Sequence, residues 1–411
     1  MYCCFIKFMK RRKHGTLLKS SLVGGELYNT FIPDPLPPVP AINMDEISGW
    51  LEKANIAIGE LNGLALSGLD SSVLNYMYIR KEAVLSSQIE GTQSTLDDLL
   101  RYESTAAAGV PVDDVTEVSS YVAALNHGTK RILDGFPLSN RLIRETHKIL
   151  LSNSRGSNKT PGAFRRSQNW LGGTRPGNAG FVPAPPEMVS DLMSDLEKFM
   201  HSGSRLPVLV KAALIHQQLE TIHPFLDGNG RTGRLLITLY LCVQGLFYPP
   251  FLYLSLFFKQ HRELYYEKLS QPRINGDWED WINFFLEGVA VTADNAKKTL
   301  LAIQKLFVGD DEKISNLGRS RNSVEAVFKV FKQKPVLAIA ELTKRTGLTK
   351  PTVIASVNRL ISLGTIKEIS EKNWNRIYSY SGYVKLLAVN TIPDKEYKKS
   401  RKKHQRGTAT Q

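Results

Sequence analysis

HPFLDGNGRTGR, residues His223 to Arg234, crowds one histidine, one aspartate, three glycines and two arginines directly in front of the apolar run LLITLYLCV at 235–243. That run is apolar on every side, so the helix carrying it belongs in the middle of a helical bundle. Its beginning is the opposite in character. The glycines of GNGRTG (Gly228, Gly230 and Gly233, with Asn229 and Thr232 between them) let a ligand approach the backbone, and the first unpaired amides of a helix with its positive dipole end form an anion site. Arg231 and Arg234 are three apart, which puts both guanidinium groups on one side of the first turn. The stretch is built for several phosphates.

Asp227 precedes this turn. A carboxylate there either caps the helix or holds a Mg²⁺ ion that itself carries phosphate oxygens, and the two roles can coexist. Asn229 either donates its amide to a phosphate oxygen or caps locally. His223 closes the apolar segment LVKAALIHQQLETI, and Pro224 after it disfavours helical backbone. An imidazole with an unperturbed pKa of ~6.5 at the mouth of an anion site is suited to accept a proton from a hydroxyl at neutral pH. His216, seven residues earlier, has no further His, Cys or carboxylate at metal-ligand spacing and reads as structural.

The rest of the chain sets the frame. With 411 residues it can bury a sizeable core in two or three domains. Three cysteines, Cys3, Cys4 and Cys242, make no even disulfide framework, and Cys242 in its apolar run reads as a buried free thiol, which fits a reducing cytoplasm. No stretch approaches the roughly 18 apolar residues of a membrane helix, so a membrane partner is not expected. A formal net charge of +14 favours a polyanionic partner, yet much of it lies in KFMKRRKH near the start and KEYKKSRKKHQR near the end, where solvated tails explain it equally well.

The organisation predicts five segments: a tail and proline-rich lead-in over 1–43, a helical region over 44–135, a helical core over 136–305, a small domain over 316–390 and a basic tail over 391–411. Apolar spacings of three and four from Met44 to Leu301 predict a mainly α fold. One interruption, RRSQNWLGGTRPGNAGFVP at 165–183, has two strand-capable pieces around glycine, proline and asparagine, and predicts a β-hairpin lying over something as a flap. Beyond 316, VEAVFKVFKQ, IAELTKRTG and KPTVIASVNRLISLG predict three short helices, and TIKEISEKNWNRIYSYS a hairpin. That is a winged helix-turn-helix pattern, with Lys350, Asn358 and Arg359 toward a DNA groove and Lys372, Asn373, Asn375 and Arg376 in the wing. A protein–protein role for this domain is the alternative.

HPFLDGNGRTGR matches in full the signature of the Fic (Fido) family, HPFx(D/E)GN(G/K)RxxR, and the chain resembles that family from 45 to 300, including FRRSQNWLGG and LYLSLFFKQHRELYYEKL. The resemblance implies a Fic-type helical bundle with a β-hairpin flap and transfer of AMP from ATP to a Ser, Thr or Tyr hydroxyl of a protein, the chain itself included, or hydrolysis of such an AMP ester. It implies His223 as base, Phe225 as a core anchor, Asp227 as Mg²⁺ ligand, Gly228 to Arg234 as the nucleotide cradle, and a flap of Asn169, Trp170, Leu171 and Gly172 that clamps the acceptor by backbone pairing. Tyr265 and Tyr266 match the family's adenine-side pair, aromatic core packing being the alternative. SSQIEG, with Ser86, Glu90 and Gly91, fits the family's inhibitory pattern (S/T)xxxE(G/N), whose glutamate pairs with the second motif arginine. Two rival readings stand beside this one: a DNA-binding regulator whose helical domain only senses nucleotide, and a transferase using another nucleotide donor. A homodimer and weak DNA binding are further associations to test.

Overall fold

The computed structural model describes residues 14–21, 25–68, 71–105, 112–152, 156–246, 252–370 and 376–391. The chain opens with an antiparallel hairpin, β1 (Gly15–Ser21) and β2 (Leu27–Pro33), in which Gly15 faces Pro33 and Ser21 faces Leu27. This corrects the expectation of a plain tail over 1–43. Alternating apolar positions around a Gly-Gly pair are a hairpin signal. β2 also touches the flap, because the Phe31 amide donates to Val182 O at 2.9 Å.

The helical part comprises α1 (Met44–Gly68), α2 (Ser71–Ile89), α3 (Leu96–Thr105), α4 (Val112–Leu133), α5 (Asn140–Leu151), α6 (Val189–His201), α7 (Val208–Ile222), α8 (Asn229–Val243), α9 (Ser255–Gln260), α10 (Arg262–Asn275) and α11 (Trp278–Ser315). α8 is the central helix: Leu235, Leu236, Ile237, Leu239, Tyr240 and Leu241 are all buried against α7, α4 and α5. Burying each such aliphatic side chain contributes on the order of 1.5–3 kcal/mol. Three polar side chains of α7 are buried too and have partners: Lys211 Nζ donates to Ser202 O, Gln217 to Thr221 Oγ1 and Gln218 to Asp34 O.

α11 runs along α1 and continues unbroken to Ser315, so the break expected at 305 falls inside a helix. The charged GDDEK segment reads as a boundary in sequence. In the fold its Asp310 is buried and accepts from Tyr380 Oη at 2.6 Å. The C-terminal part then has α12 (Arg321–Gln333), β3 (Val336–Ala338), α13 (Ile339–Thr346), α14 (Lys350–Ser362), β4 (Lys367–Glu368), β5 (Ile377–Ser379) and an unanticipated α15 (Ser381–Ala388). Its three strands are antiparallel in the order β3-β5-β4. Residues 372, 373 and 375 of the expected wing lie outside the described residues.

This C-terminal module is seated on α2 and α3. α12 and α15 pack on α2, β3 packs on α3, and Ser104 Oγ donates to Val336 O at 2.7 Å. Within SSQIEG itself, the Gln88 amide donates to Thr391 O and Ser94 O, both at 2.8 Å. α2 is therefore held between the motif helix and the C-terminal module.

Candidate active site

α7 ends in a residue that a helix does not tolerate: His223 has φ 50° and ψ 60°, the left-handed region. A non-glycine residue there costs on the order of 1–2 kcal/mol and persists only if its surroundings hold it. They do so through carbonyl oxygens. Arg165 donates Nε to His223 O at 3.0 Å, Nη2 to Ala184 O and to Ile222 O, and its own amide to Pro224 O at 2.9 Å. Its guanidinium thus meets the negative end of α7. Burial pulls Arg165 down to about 10, so it stays a cation at neutral pH.

This pose orients the imidazole. Nδ1 lies 3.3 Å from Glu220 O. A carbonyl only accepts, so Nδ1 carries the hydrogen and Nε2 keeps its lone pair. Burial pulls His223 down to about 4, which keeps it neutral and able to accept a proton at pH 7.

Gly228, left-handed at φ 77°, turns the chain into α8. Gly230 and Gly233 leave room for two carboxylates, since a Cβ at Gly230 would displace Glu90 Oε1 and one at Gly233 would displace Glu220 Oε1. The amides of this turn point out of the helix start as expected, but several side chains of the motif have other partners. Asn229 uses both ends of its amide on the Phe225 backbone, accepting from its N–H at 2.9 Å and donating to its carbonyl at 2.8 Å. Neither of its two expected roles is what the side chain does here: α8 starts at Gly228 without a side-chain cap bond, and Asn229 ties down the loop that precedes it. Arg231 is buried and bonded to the buried Glu117 of α4 at 2.6 Å, with Asp227 at 3.7 Å, so it is not a second free phosphate arm. A buried guanidinium needs a carboxylate, and Glu117 supplies it.

Arg234, 2 % exposed, is held by α2 and the residue just after it: Nε donates to Ser86 Oγ at 2.8 Å, and Nη2 to Ser86 O at 3.0 Å and Glu90 Oε1 at 2.6 Å. Burial pushes the Glu90 carboxyl up, but the adjoining Arg234 outweighs it and holds the group below its ordinary value. Gly91 at φ 101° makes the turn that ends the helix and aims Glu90. Thus Ser86, Glu90 and Gly91 stand against the motif turn in one arrangement.

Tyr265 and Tyr266 separate. Tyr265 is buried, its hydroxyl 2.8 Å from His216 Nε2 and its ring 4.4 Å from Phe258, which corrects its placement on the nucleotide side. The same bond accounts for His216, a buried structural histidine. Tyr266, 40 % exposed beside Arg262, has a ring available to a ligand. Among the flap residues, Asn169 straps the motif loop by donating to Phe225 O at 3.0 Å, while Trp170 and Leu171 are exposed. The flap hairpin is a single antiparallel pair, Leu171 with Phe181, joined by two backbone bonds of 2.9 and 3.2 Å. Gly172 follows at φ 70°.

Asp227 Oδ1 accepts from the Gly228 amide at 2.6 Å, and the side chain is 43 % exposed. No group of three or more His, Cys, Asp or Glu that could hold a metal occurs among the described residues. One outward carboxylate beside an anion-binding turn fits Mg²⁺, which takes one or two carboxylates and completes its shell with phosphate oxygens and water. His147 of α5 completes the loop: its ring is buried, lies 3.7 Å from Phe225 at 9° and touches Asp227 O at 2.9 Å. Burial holds His147 down at about 4. Sequence reasoning overlooked His147, Glu117 and the individual role of Arg165, whose bonds to Asp227 O, Arg231 and His223 O respectively span 80, 114 and 58 residues of chain.

A glycine-rich helix start preceded by a neutral imidazole is suited to a phosphorylated ligand near a proton acceptor. Residues 137–241 match the Fic/DOC family and residues 49–130 the Fic/DOC family N-terminal segment. The likeness to the Fic/DOC family lies in these two segments. It is 31% identical over 240 residues to the protein adenylyltransferase Fic of Drosophila ananassae, covering 56% of this chain and 45% of that protein. The Drosophila yakuba protein of the same name is 30% identical over 242 residues, covering 58% and 44%. The chain thus spans less than half the length of these curated relatives. A Fic family protein from Desulfovibrio desulfuricans G20 shares the fold, with a TM-score of 0.53 at 21% identity over 85% of this chain and 98% of that one.

Proposed function

We propose that this chain is a protein adenylyltransferase, moving AMP from ATP to a Ser, Thr or Tyr hydroxyl of a protein, the chain itself included. The observation that carries the reading is the Nε2 lone pair that His223 keeps in the loop leading into the glycine-rich start of α8. The acceptor hydroxyl gives its proton to Nε2 as its oxygen attacks the α-phosphorus. The bond from that phosphorus to the bridging oxygen breaks, and pyrophosphate leaves. The α8 amides and Arg234 bind the developing charge, and catalysis comes from orientation and charge stabilisation. Asp227 would hold Mg²⁺, which when bound neutralises phosphate charge. The reverse protonation at the same nitrogen supports hydrolysis of an AMP ester.

The acceptor segment lies along the flap. A cleft of about 840 Å³ opens there between the β1–β2 hairpin, the flap tip and the end of α10, lined by Leu17, Leu27, Phe181, Arg273 and Ile274. The free Cys242 is consistent with a cytoplasmic setting. The test is incubation of the purified protein with ATP labelled at the α- or the γ-phosphate, in lysate, with the adduct located by mass spectrometry. Label from the α-position alone is expected, and competing nucleotides identify the donor. Failure of both the wild type and Glu90→Gly to label, with ATP still bound, would leave a nucleotide sensor.

For the C-terminal module we propose a winged-helix role in binding DNA, because Lys350, Asn358 and Arg359 share the exposed face of α14 while Val353, Val357 and Leu360 face its core. Binding through phosphates should weaken steeply as salt rises. Gel shifts on a pool of random duplexes that stay blank at low salt would reject it and favour a protein partner, for which the exposed Ile354 and Ile361 on the same helix are suited.

A further inference from the structure

His147 is a fully buried polar ring on a helix whose other buried side chains are Leu142, Ile143, Thr146, Leu150 and Leu151. Such a group is tolerated only if both nitrogens are satisfied. Both are, by backbone groups of two different loops. Nδ1 accepts from the Gly162 amide at 2.9 Å. An amide only donates, so Nδ1 carries no hydrogen, and the hydrogen must sit on Nε2. Nε2 therefore donates to Asp227 O, also at 2.9 Å.

The tautomer decides what the ring does. Its one donor fixes the peptide between Asp227 and Gly228 from the inside. The space there is tight: a Cβ on Gly228 would come within 3.2 Å of Leu151 and 3.4 Å of His147 Nε2. With the carbonyl anchored inward, the Gly228 amide of the same peptide closes on Asp227 Oδ1 at 2.6 Å. The carboxylate is left 43 % exposed, its Oδ1 3.7 Å from Arg231 Nη2 in the first turn of α8. A Cβ on Gly156 would lie 2.6 Å from Oδ2, so the wall on that side is glycine-thin as well.

We propose that His147 is a positioning residue for Asp227: it touches no reacting atom, and it sets the direction in which that carboxylate meets a Mg²⁺–nucleotide complex. This rests on the reading of Asp227 as the metal ligand. Outer partners that orient a ligating group commonly carry about tenfold to a hundredfold of metal affinity. A merely structural histidine would instead lower stability and all ligand binding together.

The two ring nitrogens can be tested separately in the full-length chain. His147→Asn places an amide oxygen near the Nδ1 position, keeping the Gly162 contact and losing the donor to Asp227. His147→Gln extends its amide nitrogen to the Nε2 position and restores that donor. ATP affinity is measured by calorimetry with and without Mg²⁺, alongside the melting temperature. The expected result is that Mg²⁺ tightens ATP binding in the wild type and in His147→Gln, whereas His147→Asn loses about tenfold or more of that gain with its metal-free ATP affinity unchanged. The proposal is overturned if both variants keep the full Mg²⁺ gain, if both lose it alike, or if metal-free ATP affinity falls in step. A wild type with no Mg²⁺ gain overturns the reading of Asp227 itself, and the proposal with it.

Discussion

Glu90→Gly should release the site, and the structure sets the size of the effect. Arg234 is bound three times from α2 and its end, twice through Ser86 and once through Glu90, so removing Glu90 leaves the guanidinium in place and free of its carboxylate. A fully buried pair costs roughly 3–5 kcal/mol to break from one side, and an exposed pair contributes roughly 0.2–1 kcal/mol. Here the arginine is buried but the Glu90 side chain is 35 % exposed, so solvent screening discounts the pair to about 2 kcal/mol. At about 1.4 kcal/mol per factor of ten that is roughly thirtyfold. It falls short of the ~5.5 kcal/mol that would turn a site from 1:99 to 99:1, so activation should be partial. The sign of its pH dependence follows from the lowered Glu90 pKa: the ionised pair persists above the ordinary carboxylate value and is lost as pH falls through the depressed one. Moving from pH 8 to 5.5 should therefore leave the wild type inhibited. The assay is the initial rate of α-phosphate label incorporation at saturating ATP for wild type, Glu90→Gly and Glu90→Gly with Arg234→Ala. Equal rates for the first two would refute the latch, as would a gain that survives the loss of Arg234.

His223→Ala should cut AMP transfer by ~10²- to 10⁴-fold with ATP binding retained, since the phosphates do not need the base; a variant labelling near the wild-type rate would remove the histidine from the mechanism. Burial keeps His223 at about 4, and protonation destroys the acceptor, so the transfer rate of Glu90→Gly should stay flat from pH 8 to 5.5 and fall below that; a midpoint at the free imidazole value would show that the site does not bury its base. Gln88→Ala removes the donor to Thr391 O and Ser94 O, costs roughly 1–3 kcal/mol for the carbonyls left bare, and loosens the end of α2 from the C-terminal module. Its basal labelling should rise by less than that of Glu90→Gly; a lowered melting temperature with unchanged labelling would mean the module supports the fold without bearing on the latch.

What could be read from the chain was local. The apolar stretch 235–243 of α8 and the glycine-rich start before it are properties of neighbouring residues, and periodicity and residue type report them directly. The β1–β2 hairpin was also local, and its alternation around Gly24 and Gly25 was visible but overshadowed by the prolines that follow. The partners of the motif side chains were not local. Arg231 was expected on phosphate, yet Glu117 lies 114 residues away and nothing near the motif hints that a carboxylate will take that arginine. Tyr265 and Tyr266 are adjacent in sequence and opposite in burial, because on α10 consecutive residues point about 100° apart and only one faces Phe258 and His216.

The same geometry bears on the expectation that a pair as modest as Glu90–Arg234 would suffice as a latch. Between Ile222 and Asp227 the chain leaves one helix and reaches the next through a left-handed histidine and a proline, which strips its carbonyls of intrahelical partners inside the protein. Each buried carbonyl must be satisfied. Arg165 takes those of Ile222, His223 and, by its amide, Pro224; Asn169 and Asn229 take that of Phe225; His147 takes that of Asp227. None of these donors comes from α2. The turn that would grip a nucleotide is consequently set whether or not Glu90 is seated, and closing the site requires no rearrangement of the motif loop. α2 has only to supply or withhold one carboxylate at Arg234. For a switch of this kind, a difference of about 2 kcal/mol changes occupancy without threatening the fold.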